Sequence, residues 1–105
     1  MRFGFESCNL HFIAEDRFSF GRDSRCNFYL EDPIVSRLHA SLEVNAQNCT
    51  RIVDLSSRNG VFVNGQRVAV EQYLQHLDVF TIDQNKFRFV EASIDTDFSP
   101  RFLVL

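Results

Sequence analysis

Three ingredients are scarce in this chain: tryptophan, lysine and an excess of positive charge. None of its 105 residues is tryptophan, Lys86 is the only lysine, and 14 acidic residues outnumber 11 basic ones to give a net charge of −3. A general nucleic-acid binder needs a basic surface that displaces counterions from phosphates, so this balance speaks against direct nucleic-acid binding. Affinity for phosphate would have to come from a local cluster of arginines, whose planar guanidinium suits phosphate oxygens.

Cysteine is also sparse, and the chain lacks a long apolar run. The three cysteines (Cys8, Cys26 and Cys49) are odd in number and show no CxxC spacing, which is typical of a reducing, intracellular compartment. Their spacing, taken with the histidines, fits no common zinc pattern, so we expect no metal and no cofactor. Without a signal peptide or an apolar run of membrane-spanning length, we expect an intracellular protein, nuclear or cytoplasmic with the nucleus favoured, that makes no membrane contact.

What the chain does contain is alternation of apolar and polar residues. Phe18 and Phe20 flank Ser19, and similar period-two stretches recur between short groups of turn-forming residues. Such a pattern predicts many short strands with one buried face, arranged as a single sandwich or barrel. The predicted strands are Phe3–Phe5, Leu10–Ile13, Phe18–Phe20, Phe28–Leu30, Ala40–Val44, Arg51–Leu55, Val61–Val63, Gln66–Val70, Val79–Ile82, Phe87–Phe89 and Phe102–Leu105.

Two local signals refine this pattern. Asn64-Gly65 predicts a tight hairpin turn, because both turn residues must adopt positive φ and Asn and Gly tolerate it best. One stretch departs from period two and predicts a single helical turn whose apolar residues cover the edge of the sandwich. Its apolar residues fall at helical spacing: Val70, Tyr73, Leu74 and Leu77.

Four short motifs follow one another in a fixed order along the chain. Three of the four glycines lie inside them, where close backbone approach or positive φ is expected. The motifs are Gly21-Arg22, Ser36-Arg37-Leu38-His39, Ser57-Arg58-Asn59-Gly60 and Val63-Asn64-Gly65. The chain thereby resembles the forkhead-associated (FHA) domain family, which is recognised by GR, SxxH, (S/T)xNG and a VNG-type turn in that order. Each motif alone is weak, but four in register are highly specific.

The resemblance implies a fold and a function. The fold is an all-β, eleven-stranded β-sandwich with its recognition loops gathered at one end. The function is phosphothreonine-dependent binding of a partner protein or peptide in intracellular signalling, as in kinases and DNA-damage factors, without catalysis. We expect the domain to span residues 1–92, with its motif-bearing part at residues 18–90, and residues 93–105 to be a last strand or the start of a linker.

The resemblance also assigns roles to the residues of the site. Arg22 would contact the phosphate, Ser36 would donate its hydroxyl to it, and Arg37 would add a second cation or hold the peptide main chain. Asn59 would clamp that main chain through its amide, which is both donor and acceptor. The remaining residues of the phosphopeptide-binding set are Ser57 and Arg58, and the residues that support the site are Gly21, His39, Gly60 and Asn64.

Three positions depart from the family pattern or bear on specificity. Arg58 stands where relatives often have a small residue or a threonine, and it would reach the phosphate or read a nearby acidic side chain. Val61 replaces a threonine that commonly follows the NG pair. Ile34 stands where some relatives have an arginine that reads an acid three places after the phosphothreonine, so we expect no preference for an acid there.

Several alternatives stay open beside this interpretation. The domain would otherwise be a phosphate-independent interaction or self-association module of the same fold, or a small hydrolase assembled from Ser36, His39 and Asp54, which lacks a nucleophile elbow or an oxyanion signature. Arg25 is either part of the cationic rim or simply solvated. Thr96 is a candidate phosphosite for self-association in a chain that we otherwise expect to be monomeric.

Overall fold

The computed structural model describes residues 10–13, 16–91 and 100–105, and these residues form eleven strands in two sheets. This confirms the predicted all-β, eleven-stranded sandwich. None of the described residues belongs to a helix long and apolar enough to cross a membrane. The strands are β1 (Leu10–Phe12), β2 (Arg17–Gly21), β3 (Phe28–Tyr29), β4 (Ala40–Val44), β5 (Thr50–Asp54), β6 (Val61–Val63), β7 (Gln66–Arg67), β8 (Glu71–Tyr73), β9 (Val79–Ile82), β10 (Asn85–Val90) and β11 (Arg101–Val104).

The strands divide into a six-stranded and a five-stranded sheet. The first has the order β1-β11-β10-β9-β6-β7 and the second the order β3-β2-β4-β5-β8. Only the short β2–β3 pair is parallel among the described strands. The pairing of β11 with both β1 and β10 makes residues 101–104 an internal strand of the six-stranded sheet.

Phenylalanine rings join the two sheets. Phe20 of β2 is fully buried and lies 5.8 Å from Phe80, 5.3 Å from Phe87 and 5.3 Å from Phe102, measured between ring centroids. These three partners come from β9, β10 and β11 of the opposite sheet. Each ring removes a large apolar area from water, so the period-two pattern of the sequence is the pattern of the core. Because Phe20 is fixed there, the chain leaves β2 for the loop at Arg22 from a rigid base.

The predicted turn at Asn64-Gly65 is confirmed, with φ of 50° and 85° at its two residues. The predicted helical turn between residues 70 and 77 is wrong. Residues Glu71–Tyr73 instead form β8, which pairs with β5, and Leu74 is the only apolar residue of that stretch that is buried. Backbone pairing with β5 outweighs the weak helical spacing, because an isolated helical turn of this length has no stability of its own.

Two predictions concern residues outside the described part of the chain. One is the strand Phe3–Phe5 and the other is the candidate phosphosite Thr96.

Candidate functional site

Three loops meet beside the end of β2. They are the β2–β3 loop (residues 22–27), the β3–β4 loop (residues 30–39) and the β5–β6 loop (residues 55–60). The backbone N–H groups of Arg22 and Asp23 donate to the carbonyls of Ser36 and Arg37, each over 3.0 Å, and fasten the first two loops together. The loops border an open cavity of ≈ 220 Å³, called the arginine cavity below, lined by Arg22, Pro33, Ile34, Val35, Ser36, Arg37 and Arg58.

Gly21 allows this close approach of the β2–β3 and β3–β4 loops. A Cβ atom added at Gly21 would overlap the carbonyl oxygen of Arg37 and would stand 2.9 Å from the sulfur of Cys26. A side chain is therefore excluded by backbone, which cannot move aside as the tip of a flexible side chain can. Glycine before the arginine of the first motif is thus a steric requirement of the cavity wall.

Arg22 is anchored at one nitrogen only. Its Nε donates to the carbonyl of Val35 over 3.0 Å, which fixes the direction of the guanidinium at the cavity wall. Within the described part of the chain, its two terminal nitrogens make no hydrogen bond or ion pair. The two terminal nitrogens, which suit two oxygens of one oxyanion, are therefore oriented and have no hydrogen-bond partner among the described residues.

Ser36 and Arg58 are joined across two loops. The Ser36 hydroxyl oxygen accepts a hydrogen bond from the backbone N–H of Arg58 over 3.0 Å. Since the hydroxyl acts there as acceptor, its own hydrogen remains to be donated to a ligand in the cavity.

The buried imidazole of His39 connects the same two loops. His39 is fully buried, its Nδ1 accepts from the backbone N–H of Ser36 over 3.1 Å, and its Nε2 lies 2.8 Å from the carbonyl oxygen of Gly60. Because Nδ1 accepts, Nε2 carries the proton and donates to Gly60. Both ring nitrogens are used in holding the loops.

The β5–β6 loop is closed by its own polar side chains. The Asp54 carboxylate accepts from the backbone N–H of Ser57 over 2.9 Å, and the Ser57 hydroxyl accepts from the N–H of Gly60 over 3.0 Å. The Asn59 amide reaches across to donate to the carbonyl of Ile34 over 3.0 Å. Ser57 therefore lies in the frame of the loop and outside the lining of the arginine cavity, whereas Asn59 retains its carbonyl oxygen and a second N–H for other partners.

The charges at the cavity are unbalanced. Arg22, Arg37 and Arg58 are exposed, and none of them forms an ion pair with any residue that the structure describes. Arg25 differs, because its guanidinium lies 2.7 Å from the Asp23 carboxylate. That hydrogen-bonded pair holds the pKa of Asp23 well below its usual value and raises the pKa of Arg25. Three unpaired guanidinium groups thus border one cavity beside a fourth that is already neutralised.

Asn64 stands apart from the cavity. Its amide donates to the Asp78 carboxylate over 3.0 Å, and its carbonyl oxygen accepts from the backbone N–H of Val79 over 3.0 Å. Its side chain therefore ties the β6–β7 turn to the start of β9. The structure brings together the first three motifs around the cavity, and the fourth stabilises a neighbouring turn.

The sequence did not show the hydrogen bonds that three aspartates make in and beside this site. Asp54 holds Ser57, Asp78 holds Asn64, and Asp32 accepts the backbone N–H of Ile34 over 3.1 Å. Asp32 precedes a proline and Asp54 precedes a serine-rich turn, which is the local signal of an aspartate that hydrogen-bonds a backbone N–H shortly after it.

The fold and the loops define a class of molecule, which is a β-sandwich module with an arginine-lined cavity where three loops meet. The family model for the FHA domain matches residues 18–83. The chain belongs to the FHA domain family.

Solved structures agree with this assignment. Mycobacterium tuberculosis EmbR, solved in complex with a low-affinity phosphopeptide, has a TM-score of 0.71 and 28% identity over 81% of this chain and 24% of that one. The FHA-2 domain of a Mycobacterium tuberculosis ABC transporter has a TM-score of 0.65 and 27% identity over 89% of this chain and 77% of that one.

Among curated proteins, the proliferation marker protein Ki-67 of Mus musculus is 31% identical over 81 residues, which are 77% of this chain. The protein of Homo sapiens is 33% identical over 75 residues, or 71% of this chain. The match spans only 2% of the length of either relative.

Proposed function

We propose that this domain binds phosphothreonine-containing segments of partner proteins in intracellular signalling. The observation that carries the proposal is the arginine cavity, in which three unpaired guanidinium groups and the Ser36 hydroxyl border a space of ≈ 220 Å³. A phosphomonoester offers about two negative charges and three acceptor oxygens, which such a set of donors satisfies.

The energetics support recognition that depends on the phosphate. A hydrogen bond to a charged group contributes about 1.5–3 kcal/mol. Two or three such bonds, from Arg22, Ser36 and Arg37, would make the phosphorylated segment bind more tightly than the unmodified one by roughly two orders of magnitude or more. EmbR, which shares this fold and family, was solved with a phosphopeptide, and this adds to the support.

The arrangement of His39 favours binding over catalysis. A general base must accept the proton of its nucleophile, but both nitrogens of His39 are engaged, with the Ser36 backbone N–H and the Gly60 carbonyl. Asp54 is likewise used by the backbone of Ser57. We therefore propose that Ser36 acts as a hydrogen-bond donor and that the domain carries out no reaction.

Matched peptides test the function. A peptide with phosphothreonine and its unphosphorylated twin are titrated by calorimetry into the wild type, Arg22→Ala and the control Arg17→Ala, whose arginine lies on the five-stranded sheet. We expect the wild type and Arg17→Ala to bind only the phosphorylated peptide, and Arg22→Ala to lose about 10- to 100-fold in affinity. Equal binding of both peptides, unaffected by Arg22→Ala, would establish the phosphate-independent alternative.

We further propose that Ile34 shapes the specificity of the site. Ile34 lines the arginine cavity and is 46% exposed, so it offers an apolar contact where a basic residue would attract an acid. A library of peptides with a fixed phosphothreonine should show no selection for aspartate or glutamate three places after it. Strong selection for an acid at that place would refute the role of Ile34.

We also propose an intracellular location, with the nucleus favoured. The thiols of Cys26 and Cys49 are free, as expected in a reducing compartment, and the curated relatives are proliferation marker proteins. Imaging of the tagged full-length protein tests this location.

We propose that the isolated domain is a monomer, and sedimentation measures its mass in solution. Because β11 pairs within the six-stranded sheet, a fragment ending at residue 92 should be less stable than the whole chain.

A further inference from the structure

We propose that the segment bound by this cavity carries a second negative group close to the phosphothreonine, and that Arg58 binds that group. The inference rests on the proposed function, and it defines the class of ligand more narrowly. The second group is either a carboxylate side chain or a second phosphate, since both present oxygens that a guanidinium binds through two N–H groups.

The count of charges leads to this inference. Arg22, Arg37 and Arg58 all line the cavity and contribute three positive charges. A phosphothreonine at neutral pH contributes about −1.5 to −2. A ligand with no other charge would therefore leave an excess of about one positive charge in the site.

None of the described carboxylates forms an ion pair with these three arginines. The nearest acid of the β2–β3 loop, Asp23, is held by Arg25 at 2.7 Å. Asp32 and Asp54 accept backbone N–H groups of their own loops. None of these three carboxylates lines the arginine cavity.

The placement of Arg58 singles it out among the three arginines. Arg22 and Arg37 belong to the two loops that are fastened to each other by backbone hydrogen bonds, whereas Arg58 comes from the β5–β6 loop. The backbone N–H of Arg58 connects the loops by donating to the Ser36 hydroxyl over 3.0 Å. The side chain of Arg58 is exposed and has no ion-pair partner in the described chain. Arg22, Arg37 and the Ser36 hydroxyl can supply a donor to each of the three terminal oxygens of a phosphate. We therefore assign Arg58, from the third loop, to the neighbouring group.

The experiment measures the ratio of two affinities. The full chain is titrated with a phosphothreonine peptide whose other residues are neutral, and with peptides in which one neutral residue is replaced by glutamate or by phosphoserine, moved one place at a time along the peptide. We expect the acidic peptide to bind about three- to tenfold more tightly than the neutral one at one or more positions, not counting the position three places after the phosphothreonine. The expected effect is modest because an exposed charge pair contributes little free energy of binding. Glutamate and phosphoserine at that position distinguish the two sources of the charge.

Substitutions assign the effect to Arg58. Arg58→Gln should bring the ratio of the two affinities to within about twofold, and Arg58→Lys should preserve part of it. Arg17→Gln, which removes the same charge from an arginine outside the cavity, should leave the ratio unchanged. Equal affinity for acidic and neutral phosphothreonine peptides, or a ratio that survives Arg58→Gln, overturns the inference while the proposed function stands. Failure of every phosphothreonine peptide to bind overturns both.

Discussion

The outer face of the five-stranded sheet and the arginine cavity use arginine in opposite ways. On the sheet, Glu43 lies between Arg17 and Arg51 at 3.4 and 2.7 Å, and Arg51 also reaches Glu71 at 2.8 Å, in what we call the charge row. Two arginines and two glutamates balance one another there. In the cavity, three arginines form no ion pair with any described residue.

Strand register explains the difference. Antiparallel pairing puts Glu43 directly opposite Arg17 on one side and Arg51 on the other, so that the row is neutralised wherever the sheet forms. The loops have no such cross-strand register. Asp32 and Asp54 accept backbone N–H groups, and Asp23 is paired with Arg25. An arginine is thus available to a ligand when the surrounding acids already have other partners.

The largest effect should follow loss of the imidazole that holds the cavity loops. His39→Ala removes a fully buried side chain and leaves the Ser36 N–H and the Gly60 carbonyl without their partner. We expect the free energy of unfolding to fall by about 2–4 kcal/mol and phosphopeptide affinity to fall with it. Urea denaturation measures the first and calorimetry the second. The control His76→Ala, at an exposed position, should cost less than about 1 kcal/mol. Comparable losses for both variants would contradict the role given to His39.

Gly21→Ala should come next. The added methyl group meets the Arg37 carbonyl, so the β2–β3 and β3–β4 loops must separate, at a cost of about 1–3 kcal/mol. Binding should weaken as the cavity wall opens. The matched control is Gly65→Ala, where an added Cβ meets nothing within 4 Å, although its φ of 85° makes alanine strained. Gly65→Ala should therefore reduce stability and leave the affinity of the remaining folded protein unchanged. Loss of affinity in both variants would disprove a specific function of Gly21.

The charge row should respond weakly and without effect on the ligand. Arg51→Ala breaks two ion pairs whose side chains are partly exposed, so we expect a loss of about 0.5–1 kcal/mol in the free energy of unfolding. Phosphopeptide affinity should stay within about twofold of the wild type, because Arg51 lies outside the cavity. A fall in affinity as large as that of Arg22→Ala would remove the distinction between the two regions.

The smallest effect concerns the neutralised arginine beside the cavity. The hydrogen-bonded Arg25 guanidinium lowers the pKa of Asp23, so the pair's contribution to stability is present above the unfolded pKa of about 3.9 and is lost as the pH falls through the lower folded pKa. A carboxyl NMR titration should place the midpoint of Asp23 below its ordinary value, and Arg25→Gln should bring it back towards that value. A midpoint at the ordinary value in the wild type would show that Arg25 is as free as its neighbours.

The sequence predicted the strands that are rich in apolar residues and missed one that is exposed along its whole length. The bounds of β4, β6 and β9 agree with the predicted ones, whereas β8 was missed because all three of its residues are exposed and carry no period-two signal. The four motifs identified the loops of the site. They did not show that the Ser57 hydroxyl is used by Gly60, nor that Arg25 is paired while Arg22 is not, because those facts depend on which side chains the folded loops bring together.

An NMR spectrum that observes every arginine at once shows which guanidinium groups bind the ligand. The Nε–H signals of the ¹⁵N-labelled domain are followed by NMR while a phosphothreonine peptide is added. We expect the signals of Arg22, Arg37 and Arg58 to shift and those of Arg17 and Arg51 to stay in place. Shifts confined to the charge row, or signals of the cavity arginines that do not move at saturating peptide, would show that the cavity is not the binding site.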